Sequence, residues 1–255
     1  MLNNLETAYR QKQDEAGRFE FKYRISFHEY LNVRNSLLPY MRMDHFTNRT
    51  EHHRYFVRSL YFETPSFQVY KEKLSGDMNR VKLRLRTYVE HLAEASAVRV
   101  ELKVRRGESL AKYHTFISIE AYEQFMTSGH WGITDDPVLI EFDRYRYIKA
   151  FRPAVLVDYL REGYESRGDE GVRITFDHLV RSAHEKTLFP DRPFFRVHHP
   201  NEVVLEIKCR DYSVPWLKRI IHNNGLKLVA NSKFTQAIEA SRHDQYYPDG
   251  VVIVR

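Results

Sequence analysis

The sequence predicts a strand-rich α+β fold with mostly antiparallel strands, and three observations carry that prediction. Short segments alternate apolar and charged residues with a period of two, the pattern of a strand with one oily face and one charged face. Helix-opening signals fall between these segments rather than in one block. Several candidate strands follow one another directly, without the helical crossover that parallel pairing requires.

The elements can be justified in chain order. FEFKYR (19–24), in a strand predicted near 18–25, alternates Phe19, Phe21 and Tyr23 with Glu20, Lys22 and Arg24. Ser26 with Glu29 reads as a capping box opening a helix whose apolar side is Phe27, Tyr30, Leu31, Leu37 and Leu38. Strands follow near 54–63, 80–90, 97–106 and 111–117. The second holds VKLRLR (81–86), with Lys82, Arg84 and Arg86 opposite Val81, Leu83 and Leu85; the third holds VELKVR (100–105), with Glu101, Lys103 and Arg105 on one face. Ser118 caps a short helix ending at Gly129, and Asp136 before Pro137 starts another with Val138, Leu139, Phe142, Tyr145 and Ile148 inward. The strand near 153–162 contains DYLR, which puts Tyr159 and Arg161 together, and the one near 171–178 puts Arg173, Thr175 and Asp177 on one face. LEIKCR (205–210), near 202–210, sets Glu206, Lys208 and Arg210 against Leu205, Ile207 and Cys209. Ser213 and Pro215 open a helix closed by Gly225, and Ser232 caps the last one. Irregular stretches are expected at 1–17, 164–171 and 186–201, and none separates regions of different composition. The expected organisation is an N-terminal extension over 1–17 and a single domain over 18–255.

Composition narrows the class. Hydrophobic residues at 42% and charged residues at 29% suit a globular protein, and a formal charge of +6 favours a polyanionic partner. The lone Cys209 excludes an intrachain disulfide framework and a multi-cysteine zinc site. No apolar run approaches the roughly 20 residues of a membrane span, and the amino terminus lacks the apolar middle of a signal peptide, so a cytoplasmic protein is expected. His52-His53 and His198-His199 are adjacent pairs whose side chains diverge on a strand, which favours loop residues over metal ligands.

The recurring charged face is the informative feature. Like charges side by side across strands cost some tenths of a kcal/mol each, and a merely solvated face would mix signs to avoid this. A closed or nearly closed barrel with a charged lumen and an apolar exterior covered by helices accounts for it better. Such a lumen needs an anion bringing several negative charges, and low-dielectric walls strengthen each contact. The interleaved carboxylates argue against a nucleic-acid surface. They fit a hard divalent cation, which uses carboxylate together with substrate phosphate oxygens. Glu20, Glu101 and Glu206 are the candidate metal ligands, and each is equally placed to act as a salt-bridge spacer.

Taken in order, Glu20-x-Lys22, Lys82-x-Arg84-x-Arg86, Glu101-x-Lys103, Arg173 and Glu206-x-Lys208 resemble the triphosphate tunnel metalloenzymes, or CYTH superfamily. The segments FEFKYRIS, SLYFET, NRVKLRLRTY, VELKVR, VDYLREGYE, VRITFD, EVVLEIK and ANSKF are more specifically similar to the VTC domain. That domain is the polyphosphate polymerase module of the vacuolar transporter chaperone complex and its stand-alone bacterial relatives. The resemblance implies an eight-stranded antiparallel tunnel, ATP as phosphoryl donor, inorganic polyphosphate as product, and Mn²⁺ or Mg²⁺ as cofactor. It also implies that Lys22, Arg84, Arg86, Lys103, Arg161 and Arg173 bind the reacting phosphates from the tunnel wall. Tyr159 would donate to a phosphate oxygen, Glu206 would bind the metal, and Ser232 with Lys233 would hold the phosphate chain near one mouth. Lys82, Lys112 and Lys208 join the substrate-binding set. No nucleic acid and no transmembrane segment are expected, and a membrane-protein partner is left open.

Phosphoryl transfer between phosphates needs positioning and charge stabilisation but no general base, which agrees with the lack of a Ser/His/Asp or Cys/His constellation. Two other functions compete: a metal-dependent tri- or polyphosphate hydrolase of the same superfamily, and a noncatalytic polyanion-binding module.

Overall fold

The computed structural model describes residues 19–211 and 213–246; the expected extension over 1–17 and both ends of the expected 18–255 unit lie outside them. The strands are β1 (Phe19–Ser26), β2 (Met41–Met43), β3 (Tyr55–Glu63), β4 (Asn79–Thr87), β5 (Val98–Arg106), β6 (Ser109–Ile117), β7 (Arg152–Ser166), β8 (Arg173–Ala183), β9 (Arg196–Val197) and β10 (Glu202–Cys209). The helices are α1 (Phe27–Leu37), α2 (His45–Arg49), α3 (Gln68–Leu74), α4 (Ile119–Ser128), α5 (Pro137–Ile148), α6 (Pro215–Asn223) and α7 (Lys233–Tyr246).

Eight strands follow one antiparallel path, β1-β10-β8-β7-β3-β4-β5-β6, with β2 paired to β7 and β9 to β8. All eight predicted strands lie on this path. Register places like faces together: Leu83 opposite Leu102 and Leu85 opposite Val100 on the outside, Arg84 opposite Glu101 and Lys22 opposite Glu206 on the inside. The wall curls: Lys22 on β1 comes near Tyr61 on β3, and Lys103 on β5 comes near Glu20 and Lys22 on β1. It is not sealed by hydrogen bonds. Among the described residues β1 and β6 do not pair, and the free edge of β1 accepts a bond from Val229 N–H at 2.9 Å. The expected eight-stranded barrel is therefore a curled wall with a seam.

The outer face is apolar and helix-covered. Val81, Leu83, Leu85, Val100 and Leu102 pack with Phe62, Phe125, Trp131 and Phe142 from β3, α4, the α4–α5 loop and α5. On the other side of the wall Ile25, Leu205, Ile207 and the buried Cys209 pack against α1 and α6. Each fully buried aliphatic side chain adds about 2 kcal/mol of favourable transfer energy.

The helix starts follow local chemistry. Ser26 and Glu29 form the expected capping box, Asp136 caps α5 through Val138 and Leu139 N–H, and Ser118 and Ser232 cap α4 and α7. Other expectations need correction. The buried face of α1 is Tyr30, Val33 and Leu37, while Phe27, Leu31 and Leu38 are exposed. Ile148 of α5 is also exposed. Ser213 does not cap α6; its hydroxyl bonds Asp211, and Val214 takes the cap position. One polar pair also sits on the outer face: Arg58, only 2% exposed, makes a bidentate pair with Asp158 at 2.9 and 2.8 Å.

One helix departs from the expected outer coat. The first turn of α7 enters the concave side: Phe234 packs 5.5 Å from the Tyr61 ring, and Lys233 lies 4.8 Å over Tyr159. Both rings belong to the inner face of the wall, because Tyr61 is in register with Arg84 and Tyr159 with Val57.

Candidate active site

Strand alternation brings four cations of β1, β4 and β7, Lys22, Arg84, Arg86 and Arg161, to the middle of the concave face, where Lys233 of α7 joins them, and carboxylates fix most of them. Arg84 pairs with Glu101 and donates to the Tyr61 hydroxyl at 3.0 Å. Arg86 donates to Ser59 Oγ at 3.1 Å and to the Tyr159 hydroxyl at 3.2 Å. Arg161 makes a two-pronged pair with Asp177 at 2.6 and 2.8 Å, and Lys233 Nζ reaches the same carboxylate at 2.6 Å. Lys22 Nζ lies 2.9 Å from Glu20 and 3.7 Å from Glu206, whose other oxygen is 3.2 Å from Lys208. Planar guanidiniums held in this way are pre-aimed donors for phosphate oxygens.

The electrostatics follow from burial against pairing. Burial alone would push the Asp177 carboxyl up, but Arg161 and Lys233 overcome this and hold it at about 2. Glu206 is likewise raised by burial and carried well below the carboxylate range by Lys22, Lys208 and Arg161. Burial works against the charge of Lys22, and Glu206 and Glu20 restore it beyond its ordinary value.

Further along β4 and β5 the balance fails. Lys82 is in register with Lys103, Arg80 with Arg105, and Lys103 with Lys112 of β6. Burial, then the neighbouring Lys103, pushes Lys82 down to about 7; burial, opposed by Glu20 and reinforced by Lys112 and Lys22, brings Lys103 to about 8. Lys82 has the Phe234 ring at 4.5 Å, and among the described residues no carboxylate pairs with it or with Lys103. Lys73 of α3 is depressed by burial and then by Arg80.

At the opposite end, the Arg173 side chain is 42% exposed and bonds Asp44 at 3.2 Å. Asp44 also caps α2 through Thr47 N–H and abuts Gly163, where a β-carbon would collide with its carboxylate.

The sequence model of the VTC domain matches residues 17–242. The chain belongs to the VTC-domain family. Comparison with curated proteins gave no match. Among solved structures, a candidate adenylate cyclase from Bacillus halodurans shares the fold with a TM-score of 0.51, at 16% identity over 85% of this chain and 95% of its own. A candidate adenylyl cyclase from Hippeastrum, described as having a dominant triphosphatase activity, aligns with a TM-score of 0.49 and 13% identity over 87% and 95% of the two chains.

Most of the residues singled out from sequence meet on the concave face of this VTC domain: Lys22, Lys82, Arg84, Arg86, Glu101, Lys103, Tyr159, Arg161, Glu206 and Lys233. Others sit apart. Lys112 lies exposed on β6 at the end of the strand path, Glu20 lies at the exposed start of β1, and Lys208 is half-buried beside Glu206. Ser232 spends its hydroxyl on the α7 cap, and Lys233 lies deep in the lumen rather than at a mouth. Glu101, like Glu20 and Glu206, is engaged by cations. Burial would raise its carboxyl, but Arg84 and Arg86 pull it well below the usual range, and Arg99 approaches at 3.4 Å.

Sequence reasoning missed Tyr61 and gave no role to Asp177. Both become visible only once β3 and β8 are in register with β4 and β7.

Among the described residues no group of three or more His, Cys, Asp or Glu could form a metal cage. Glu206 and Glu20, which raise one another's affinity for protons, remain as a two-carboxylate set. That set fits a hard cation bound by one or two carboxylates plus substrate phosphate oxygens.

Proposed function

We propose that this VTC domain is an ATP-dependent polyphosphate polymerase that transfers the γ-phosphate of ATP to the end of an inorganic polyphosphate chain. One observation carries the reading: the paired clamp of Arg84, Arg86, Arg161, Lys22 and Lys233 continues along β4 and β5 into cations that have no carboxylate partner among the described residues, Arg80, Lys82, Lys103 and Arg105. A hydrolase needs to hold one triphosphate; a polymerase also needs a cationic track for a second, longer anion. The track is what the clamp alone would lack.

The terminal oxygen of the chain attacks the γ-phosphorus, a new P–O bond forms, and the bond to the β-phosphate oxygen breaks with its electrons leaving on ADP. The attacking oxygen is already ionised, so no proton has to be removed. Arg84 and Arg86 hold the equatorial oxygens through geometry fixed by Glu101, Ser59 and Tyr159, while Arg161 and Lys233 face the same space from the other wall. Tyr159, which accepts from Arg86, keeps its own hydroxyl proton for a phosphate oxygen. Glu206 and Glu20 would hold Mn²⁺ or Mg²⁺, which supplies charge neutralisation across neighbouring phosphate oxygens when bound.

The test incubates purified protein with ATP and Mn²⁺ or Mg²⁺ and resolves the products by size. Long phosphate chains are expected; orthophosphate alone would reassign the protein as a hydrolase, and the absence of any turnover would leave a binding module.

A further inference from the structure

Along β4 the inner face runs from Arg80 through Arg86, and at Tyr88, just past the end of the strand, the lining changes from cations to rings. Phe46 of α2 lies parallel to Tyr88, with centroids 6.4 Å apart and planes within 5°, and 5.7 Å from Tyr55. Arg99, the register partner of Arg86 across β4 and β5, donates to the Tyr88 hydroxyl at 3.3 Å and lies 5.8 Å from the ring of Phe116 on β6. A continuous band of π faces and one guanidinium thus borders the phosphate clamp.

Aromatic packing at the end of a sheet would explain such a cluster if the rings buried one another. They do not: Phe46 remains 60% exposed, Phe116 59% and Tyr88 39%. The exposed position of Phe46 is also held from several sides. Thr47 Oγ accepts from Gly163 N–H at 2.7 Å, Asp44 N–H donates to Gly163 O at 2.9 Å, and Asp44 is tied to Arg173. Large rings kept in solvent by a braced turn, beside arginines aimed at phosphate, match a ligand that carries a flat apolar ring system on an oligophosphate.

We propose that Phe46, Tyr88 and Phe116 form a stacking platform for the nucleobase of a nucleoside triphosphate whose phosphates extend inward to Arg86 and Arg84. The inference rests on reading the lumen as an oligophosphate site, and it gives the passage a direction, with the nucleoside at the ring-lined mouth and the growing anion at the lysine end. Stacking accepts any base, so ATP and GTP should bind alike.

Calorimetric titration with two non-hydrolysable ligands, β,γ-imido-ATP and inorganic diimidotriphosphate, each with Mg²⁺, separates the base from the phosphates. In Phe46→Ala and Phe116→Ala the affinity for imido-ATP should fall about tenfold, the scale of one lost base stack. Affinity for diimidotriphosphate should stay within about twofold, which also reports an intact fold, and Phe46→Trp should recover imido-ATP binding. Loss of both affinities together, or of neither, overturns the platform and leaves the phosphate reading standing. Failure of the unaltered protein to bind either ligand overturns both. Competition by an oligodeoxyadenylate without a 5′-triphosphate as effective as that by imido-ATP would show a single-strand surface and also overturn the proposal.

Discussion

The two ends of the inner wall share strands β4 and β5 and carry the same kind of side chain, yet they are electrostatic opposites. Around Arg84 and Arg161 each cation has an acidic partner, and the pairing outweighs burial. Around Lys82 and Lys103 cation faces cation, and burial wins. A paired cation is rigid and costs little to keep in place, so it suits a clamp whose geometry must exist before the ligand arrives. An unpaired one is held in strain that only an incoming anion relieves, so it suits a track. The folded protein is stabilised by the first end and weakened by the second, a division expected where function and stability pull apart.

The largest test of that contrast is Asp177→Ala, which strands Arg161 and Lys233 without their shared partner. Breaking a buried pair of this kind costs about 3–5 kcal/mol, and urea unfolding should show a loss in that range. Next, Arg84→Ala should lower the steady-state rate by about 10²–10³, the loss seen when one donor to a developing anion is removed. Full rates in both Arg84→Ala and Arg86→Ala would remove the site altogether. Lys103→Met should act with the opposite sign on stability, raising the ligand-free protein by about 1 kcal/mol, or about 2–4 °C in Tm, while weakening tripolyphosphate binding. A destabilised Lys103→Met protein would erase the distinction between the ends.

The smallest effect is the pH dependence. With Lys82 near 7 and Lys103 near 8, the folded, empty protein holds fewer protons than the unfolded chain from about pH 7 to about 10. Those two groups therefore make folding more favourable as pH rises across that window. Asp177, lowered from 3.8 to about 2, adds stability above its ordinary value that is lost as pH falls through about 2. Bound phosphate recharges the lysines, so tripolyphosphate binding should take up protons near pH 8–9 and weaken as pH rises. Calorimetry in two buffers of different ionisation enthalpy reads that uptake directly.

Much of this was legible in the sequence because strand alternation is a local signal. Val81 to Arg86 and Val100 to Arg105 declare their faces without help from any partner, and so do the Ser26–Glu29 and Asp136 caps. Long-range register is not local. Tyr61 was hidden because β3 carries Arg58 on its apolar side, an inversion tolerated only because Asp158 meets it there. The partnership of Asp177 with Arg161 depends on a register shift between Asp158 and Leu160 that no alternation pattern announces. The face of α1 failed for a related reason: its cap fixes where the helix begins, but the position of Glu162, which receives Tyr30 and Arg34, decides which side turns inward.

Gly163 shows how little material can govern a distant rim. Because its site has no room for one more carbon beside Asp44, a methyl group there would lift the 44–47 turn from the wall, freeing the guanidinium of Arg173 and carrying the ring of Phe46 with it. Two features that lie on separate strands and helices would then shift as one, so residue 163 is where the shape of that entrance is most easily retuned.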